Sequence, residues 1–134
     1  MAQDLTVNEL LMMDSSTLAY LGDSVYELQV RSRLVLSGKR QADELVKASL
    51  SFVTASAQSY FLDQLSGSFL YDEISIITRG RNMKHKSGRR NVSRLEYSKA
   101  TAFECLFGYL YLKGRYERID ELMDLIFSIR KDGQ

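Results

Sequence analysis

The sequence predicts an all-α fold in a single domain. Apolar residues recur at helical spacing along most of the chain, and no stretch alternates with period two for long enough to form a sheet. Proline is absent, which fits a wholly helical scaffold. The 134 residues suit one compact domain and leave no room for a second domain of ordinary size. We therefore expect six to seven helices in one domain over residues 1–134.

The helices follow from the apolar pattern and from the glycines that divide it, since glycine often stands just after the last residue of a helix. The first two helices are predicted at about 7–12 and 16–36. A helical region at 41–65 is expected to break near 50–52. Three more helices are predicted at about 69–78, 95–113 and 115–130. The glycines taken as stops are Gly38, Gly67, Gly80, Gly88, Gly114 and Gly133.

Two other glycines, Gly22 and Gly108, lie inside strong helical patterns, where each costs about 1 kcal/mol relative to alanine. A glycine within a helix often marks the close approach of another backbone or of a ligand. Each of these glycines has an acid beside it. Asp23 follows Gly22 directly, and Glu104 lies one turn before Gly108 on the same helix face.

The surroundings of both acids are apolar. Helix 16–36 carries apolar stripes on two opposite sides, which predicts a central, buried helix, and Asp23 projects from one of these stripes. Glu104 is the only charged residue from 100 to 112. In contrast, Glu27 has Arg31 four residues later and is predicted to form a structural ion pair.

An unpaired buried carboxylate is expensive, so Asp23 and Glu104 must pair with a cation, stay protonated or bind a metal. One interpretation is that each acid pairs with an Arg or Lys of another helix. The other is that the two helices cross closely at their glycines and direct both acids at one divalent cation. Carboxylate ligands without histidine or thiolate favour Mg²⁺, with Mn²⁺ as a substitute.

The charge is distributed unevenly, although the formal total is only +1. From Arg79 to Lys99, eight basic residues and one acid give +7, whereas ten basic and sixteen acidic residues elsewhere give −6. This asymmetry favours an anionic partner, and a carboxylate-bound metal beside a basic segment indicates phosphodiester hydrolysis. The single Cys105 and single His85 exclude an intrachain disulfide and a zinc site within one chain. No secretory or membrane-spanning segment is recognisable, so we expect a cytoplasmic protein without membrane association.

Three segments carry a family resemblance. LAYLGDSVYEL at 18–28 resembles the signature helix of the ribonuclease III endonuclease domain, and AFECLFGYLYL at 102–112 resembles the second metal-binding helix of that family. RGRNMKHKSGRRN at 79–91 resembles the corresponding loop of its stand-alone bacterial branch, Mini-III. The double-stranded-RNA-binding domain that usually follows is absent from the sequence. The resemblance covers nearly the whole chain.

The resemblance implies a homodimeric, Mg²⁺-dependent endonuclease that cuts both strands of duplex RNA and leaves 5′-phosphate and 3′-hydroxyl ends. It assigns catalysis and metal binding to Asp23 and Glu104. It implies maturation of precursor large-subunit (23S) ribosomal RNA, with a ribosomal protein as a candidate accessory. Larger family members carry two more acids, at positions held here by Ala19 and Thr101, which implies a reduced metal set. A non-catalytic double-stranded-RNA-binding or ribosome-associated protein on the same scaffold is the alternative.

Since no separate RNA-binding domain is evident, we expect the catalytic domain to hold duplex RNA through a basic loop at about 79–94. A merely solvated charged loop is the alternative. The residues predicted to contact RNA are Arg79, Arg81, Asn82, Lys84, Lys86, Arg89 and Arg90. The dimer interface is not predicted, because Tyr109, Tyr111, Tyr116 and the helix around 52–61 suit either an interface or the core.

Overall fold

The computed structural model describes residues 5–38, 41–83 and 93–132. This part of the chain forms seven α-helices and contains no strand, which confirms the predicted all-α class. The helices are α1 (Val7–Leu11), α2 (Ser15–Leu36), α3 (Ala42–Val53), α4 (Ala55–Gln64), α5 (Tyr71–Arg81), α6 (Arg94–Leu112) and α7 (Tyr116–Asp132).

Side-chain caps determine where several helices begin. Thr6 and Glu9 form a capping box at α1, and Ser93 and Glu96 form another at α6. The predicted break between α3 and α4 occurs at Thr54 rather than at 50–52. Thr54 adopts an extended backbone, and its hydroxyl accepts a hydrogen bond from the first turn of α4, so it ends one helix and caps the next.

Gly38 and Gly114 end α2 and α6 as predicted, with positive φ angles of 105° and 77°. The prediction that Gly80 ends a helix is wrong, because α5 continues through Gly80 to Arg81. A Cβ atom on Gly80 would lie 2.8 Å from Ala102 Cα and 3.1 Å from Cys105 Sγ. Gly80 therefore permits close packing of α5 on α6. Gly88 and Gly133 lie outside the described residues.

The helix at the centre of the core is α6, against which α2, α4, α5 and α7 pack. Residues 100–103 and 105–110 of α6 are all buried. The prediction that α2 is buried on both sides is wrong, since Leu28 on one of its apolar stripes is 64% exposed. Tyr109, Phe52 and Phe61 belong to the core, whereas Tyr111 and Tyr116 pack against each other at the surface.

Buried and half-buried polar contacts join α5 to α6 and α7. The fully buried Glu73 accepts two hydrogen bonds from the Arg118 guanidinium, at 2.8 and 2.9 Å. Asp72 accepts hydrogen bonds from the Tyr109 hydroxyl at 2.7 Å and from Lys113 Nζ at 2.9 Å. Within the described part of the chain, no helix is long and apolar enough to cross a bilayer.

Candidate active site

The site is built where α2 and α6 cross in backbone contact. A Cβ atom on Gly22 would lie 1.6 Å from the Glu104 carbonyl oxygen, and a Cβ atom on Gly108 would lie 2.1 Å from the Leu18 carbonyl oxygen. Each glycine therefore faces the carbonyl that lies one turn before the other glycine. No side chain larger than hydrogen fits at either position. The predicted close crossing of the two helices at these glycines is what the structure shows.

This crossing brings together the two segments that carry the predicted acids. Asp23 is the next residue after Gly22, and Glu104 is the residue whose backbone Gly22 touches. Asp23 is exposed and Glu104 is half-buried. The expectation that Asp23 is a buried acid is therefore wrong, although Ala19 and Tyr26, one turn before and after it, are buried. Within the described ranges, no Lys or Arg forms an ion pair with Asp23.

The positions of the two missing acids are buried. Ala19 is 9% exposed and Thr101 is 7% exposed. The Thr101 hydroxyl donates a hydrogen bond to the Tyr97 carbonyl within α6, at 3.0 Å. Among residues 5–38, 41–83 and 93–132, no group of three or more Asp, Glu, His or Cys side chains is close enough to hold a metal ion. The oxygen donors of Asp23 and Glu104 suit a hard cation such as Mg²⁺, which is commonly held by one or two carboxylates.

Beside this crossing, α5 places its basic C-terminal end against α6. Gly80 contacts Ala102 and Cys105, so the last turn of α5 lies next to Glu104 along α6. Arg81 and Asn82 are exposed there. They line a shallow depression together with Thr78, Leu95 and Ser98. Lys84, Lys86, Arg89 and Arg90, also predicted to contact RNA, lie outside the described residues.

The structure gives Arg79 contacts that the sequence did not predict. Its guanidinium donates hydrogen bonds to the backbone carbonyls of Leu11 and of Met13, the latter at 2.6 Å. Lys99, another member of the basic segment, pairs with Asp63 of α4 at 3.0 Å. These two cations are therefore already engaged within the protein. The predicted Glu27–Arg31 ion pair is confirmed, with a distance of 3.2 Å.

The thiol of Cys105 also contacts the start of α2. Its Sγ donates a hydrogen bond to the Ser15 carbonyl at 3.2 Å. Burial and the adjacent Glu104 carboxylate raise the pKa of Cys105 to about 12, although Arg79 opposes the shift. The thiol is thus protonated at neutral pH and serves as a hydrogen-bond donor.

Comparison with known proteins identifies the fold. The profile of the family described as "Ribonuclease III domain" matches residues 16–115, from the first turn of α2 to the residue before α7, and so includes both acids. This chain belongs to the ribonuclease III family. The family resemblance of the LGDSVYEL and AFECLFGYLYL segments is thereby confirmed.

Relatives named Mini-ribonuclease 3 match over most of their length. The protein from Clostridium tetani is 35% identical over 133 residues, which cover 98% of this chain and 88% of that protein. The protein from Brevibacillus brevis is 41% identical over 112 residues, or 84% of each chain. A crystal structure of a Fusobacterium nucleatum protein superposes with a TM-score of 0.79 at 27% identity, covering 86% of this chain and 93% of that one. This ribonuclease III domain is thus similar to the Mini-ribonuclease 3 proteins over nearly its whole length.

Proposed function

We propose that this chain is a divalent-metal-dependent endoribonuclease that hydrolyses both strands of duplex RNA to 5′-phosphate and 3′-hydroxyl ends. The observation that supports the proposal is the Gly22–Gly108 crossing within a ribonuclease III domain, because there the Glu104 backbone lies against Gly22, the residue before Asp23.

Asp23 and Glu104 are proposed as the metal ligands and catalytic residues. These two carboxylates would hold Mg²⁺, or Mn²⁺ in its place, and the ion would supply a more acidic water and neutralise charge on the phosphodiester. The exposed side chain of Asp23 leaves the site open to a large substrate such as an RNA duplex. The half-buried Glu104 is more firmly positioned, because its neighbours on α6 are packed in the core.

The basic segment is proposed to hold the RNA. Arg81 and Asn82 are exposed at the end of α5, which packs against α6 beside Glu104. Duplex RNA is recognised mainly through phosphates and sugars, and guanidinium and amide groups suit such contacts. We extend this role to Lys84, Lys86, Arg89 and Arg90, which follow directly in the sequence.

The exposed face of α2 is proposed as the homodimer interface. Tyr20, Leu28 and Val35 are 84%, 64% and 46% exposed, and their spacing of eight and seven residues puts them on one side of the helix. Asp23 borders this face, so a dimer formed through it brings two sites together, as cleavage of both strands requires. Sedimentation of Tyr20→Glu tests the interface, with Tyr71→Glu on α5, where the tyrosine is 93% exposed, as control. Loss of the dimer in both variants, or in neither, contradicts it.

For the cellular role, we propose maturation of precursor large-subunit ribosomal RNA in the cytoplasm, with a ribosomal protein as accessory. The similarity to Mini-ribonuclease 3 proteins supports this assignment. Incubation of the purified protein with precursor RNA, with and without ribosomal proteins, tests it. Cleavage of generic duplexes alone, with the precursor left intact under every condition, contradicts the role.

The proposed activity is tested on long duplex RNA with Mg²⁺, with and without chelator. We expect cleavage by the wild type, no cleavage after chelation, and no cleavage by Asp23→Asn or Glu104→Gln, while both variants still bind RNA. Glu117→Gln, on the first turn of α7, is the matched control and should cleave normally. Binding without cleavage by the wild type would instead establish the non-catalytic alternative.

The role of the basic segment is tested with Arg89→Ala combined with Arg90→Ala. Each lost phosphate contact should weaken duplex binding and lower the salt dependence of the binding constant, while the fold stays intact. Fluorescence anisotropy across a salt titration measures both quantities. An unchanged binding constant at every salt concentration contradicts the role of these two residues.

A further inference from the structure

We infer that Arg79 is a positioning residue of the two-carboxylate site, which it serves by fixing the start of α2 rather than by contacting RNA. The inference rests on the proposed function, since it concerns the same pair of acids. Its basis is a set of contacts that joins α5 and α6 to the connection between α1 and α2.

The Arg79 guanidinium uses two different nitrogens for two different carbonyls. Nη1 donates to Leu11, the last residue of α1, and Nη2 donates to Met13, in the turn that follows. Carbonyls at the end of a helix lack hydrogen-bond partners within that helix. The Arg79 guanidinium therefore supplies donors to carbonyls that would otherwise be hydrogen-bonded to water. The planar fork of arginine can reach both carbonyls at once. A lysine ammonium carries its donors on one nitrogen, so it cannot place a donor at the positions of both guanidinium nitrogens.

A second contact holds the same connection from α6. Cys105 Sγ donates to the carbonyl of Ser15, the first residue of α2, at 3.2 Å. Gly80, the neighbour of Arg79, packs against Cys105 and Ala102, so α5 and α6 are themselves fixed together at this point. The connection from Leu11 to Ser15 is therefore held by side chains from two helices.

This brace holds the start of α2 against α5 and α6. Ser15 begins the helix that carries Asp23 eight residues later, and Cys105 is adjacent to Glu104 in sequence. A displacement of the α1–α2 connection moves α2 as a rigid rod, because a helix transmits a shift of its first turn to the turns that follow. Asp23 would then move relative to Glu104. Groups that hydrogen-bond to metal ligands affect metal affinity by about 10- to 100-fold, and we take the lower end of this range for a brace that acts through the backbone.

Substitution by lysine separates positioning from RNA contact. Arg79→Lys keeps the positive charge, so an RNA phosphate contact would be largely preserved, whereas the two-carbonyl contact would be broken. Arg81→Lys is the matched control, because Arg81 lies two residues later on the same helix and is exposed. Cys105→Ala is a second test, since it removes the other donor of the brace without any change of charge.

The readout is direct Mn²⁺ binding, measured by electron paramagnetic resonance with Asp23→Asn as the reference for a lost site. We expect Arg79→Lys and Cys105→Ala each to weaken Mn²⁺ binding by about 10-fold or more. Duplex RNA binding in chelator should stay within about 2-fold of the wild type, because the charge is unchanged. Arg81→Lys should match the wild type in metal binding. Thermal unfolding of each variant confirms that it is folded at the assay temperature, and if one unfolds, the other carries the test.

Unchanged Mn²⁺ affinity in the folded Arg79→Lys and Cys105→Ala variants overturns the inference. Weaker RNA binding by Arg79→Lys, with normal Mn²⁺ binding, overturns it as well and restores Arg79 as an RNA contact. A wild type that binds Mn²⁺ but cleaves no duplex RNA refutes the proposed function alone, because the metal comparison still stands. A wild type that binds no Mn²⁺ refutes the proposed metal site and, with it, the positioning role of Arg79.

Discussion

Replacement of Gly22 by alanine tests the geometry on which the site depends. The new Cβ atom would lie 1.6 Å from the Glu104 carbonyl oxygen and 2.9 Å from the Gly108 nitrogen, whereas ordinary contact begins at 3.4 Å. Both neighbours are backbone atoms inside α6, so neither can rotate away as a flexible side chain would. The helices must therefore separate by about 1.8 Å at this point, the difference between 3.4 and 1.6 Å.

Such a separation should reduce cleavage strongly and stability moderately. Misplacement of reacting groups by about 1 Å can cost on the order of 100-fold in rate, so we expect at least that loss. Alanine gains about 1 kcal/mol in helix propensity, whereas overpacking of a core contact costs about 1–3 kcal/mol or more. Because a 1.6 Å approach is severe, the cost lies at the upper end of this range or above it, and the free energy of unfolding should fall by about 2 kcal/mol or more.

Two measurements check this prediction, the single-turnover cleavage rate on duplex RNA and the free energy of unfolding in urea. Gly67→Ala is the control, because nothing lies within 4 Å of a Cβ atom there and its φ angle is not positive. It should be as active and as stable as the wild type. If Gly22→Ala instead cleaves at the wild-type rate with wild-type stability, α2 and α6 do not cross in backbone contact and the argument for the site fails.

Three further predictions concern other residues. Glu73→Ala removes the buried partner of Arg118, which then keeps a longer contact to Glu121 at 3.5 Å and a hydrogen bond to the Ser68 carbonyl. The free energy of unfolding, measured in urea, should fall by about 3 kcal/mol, and a loss below about 1 kcal/mol contradicts the buried ion pair. Arg81→Ala should weaken duplex RNA binding and reduce the slope of its salt dependence by about 1, measured by anisotropy, and an unchanged slope contradicts a phosphate contact. Burial alone would raise the pKa of Asp72, but hydrogen bonds from Lys113 and Tyr109 hold it below its ordinary value of 3.8. The charged Asp72 therefore stabilises the fold above pH 3.8, and this stabilisation is lost as the pH falls through the lowered pKa. On acidification, the thermal unfolding midpoint should fall less steeply in Asp72→Asn than in the wild type.

The predictable part of the site is local in sequence. Gly22 stands beside Asp23, and Gly108 stands one turn from Glu104. Each helix sequence therefore contains both a glycine that indicates close contact with another backbone and an acid next to that contact. The helical class and most boundaries are also local, because they depend on periodicity and on caps such as Ser93. Neighbouring residues are therefore enough to indicate these features.

Features that depend on distant residues could not be predicted in this way. Arg79 and Leu11 are 68 positions apart, and Glu73 and Arg118 are 45 positions apart, so nothing in either neighbourhood indicates the partner. The exposure of Asp23 was also unpredictable, because it depends on where the other helices leave α2 uncovered. A helical wheel shows which residues share a face, but it does not show which face meets solvent.

The two glycines lower the helix propensity of α2 and α6, and they also permit the close approach of these helices. Together, Gly22 and Gly108 cost about 2 kcal/mol in helix propensity relative to alanine, which a purely structural contact between two helices does not require. Helices that pack through side chains keep their axes about 8–10 Å apart. Asp23 has a short side chain, so it can act together with a residue of α6 only if the two backbones come closer than larger side chains allow. The conformational cost of the two glycines is therefore part of the site, and substitutions that relieve it should stabilise the isolated helices while separating the acids.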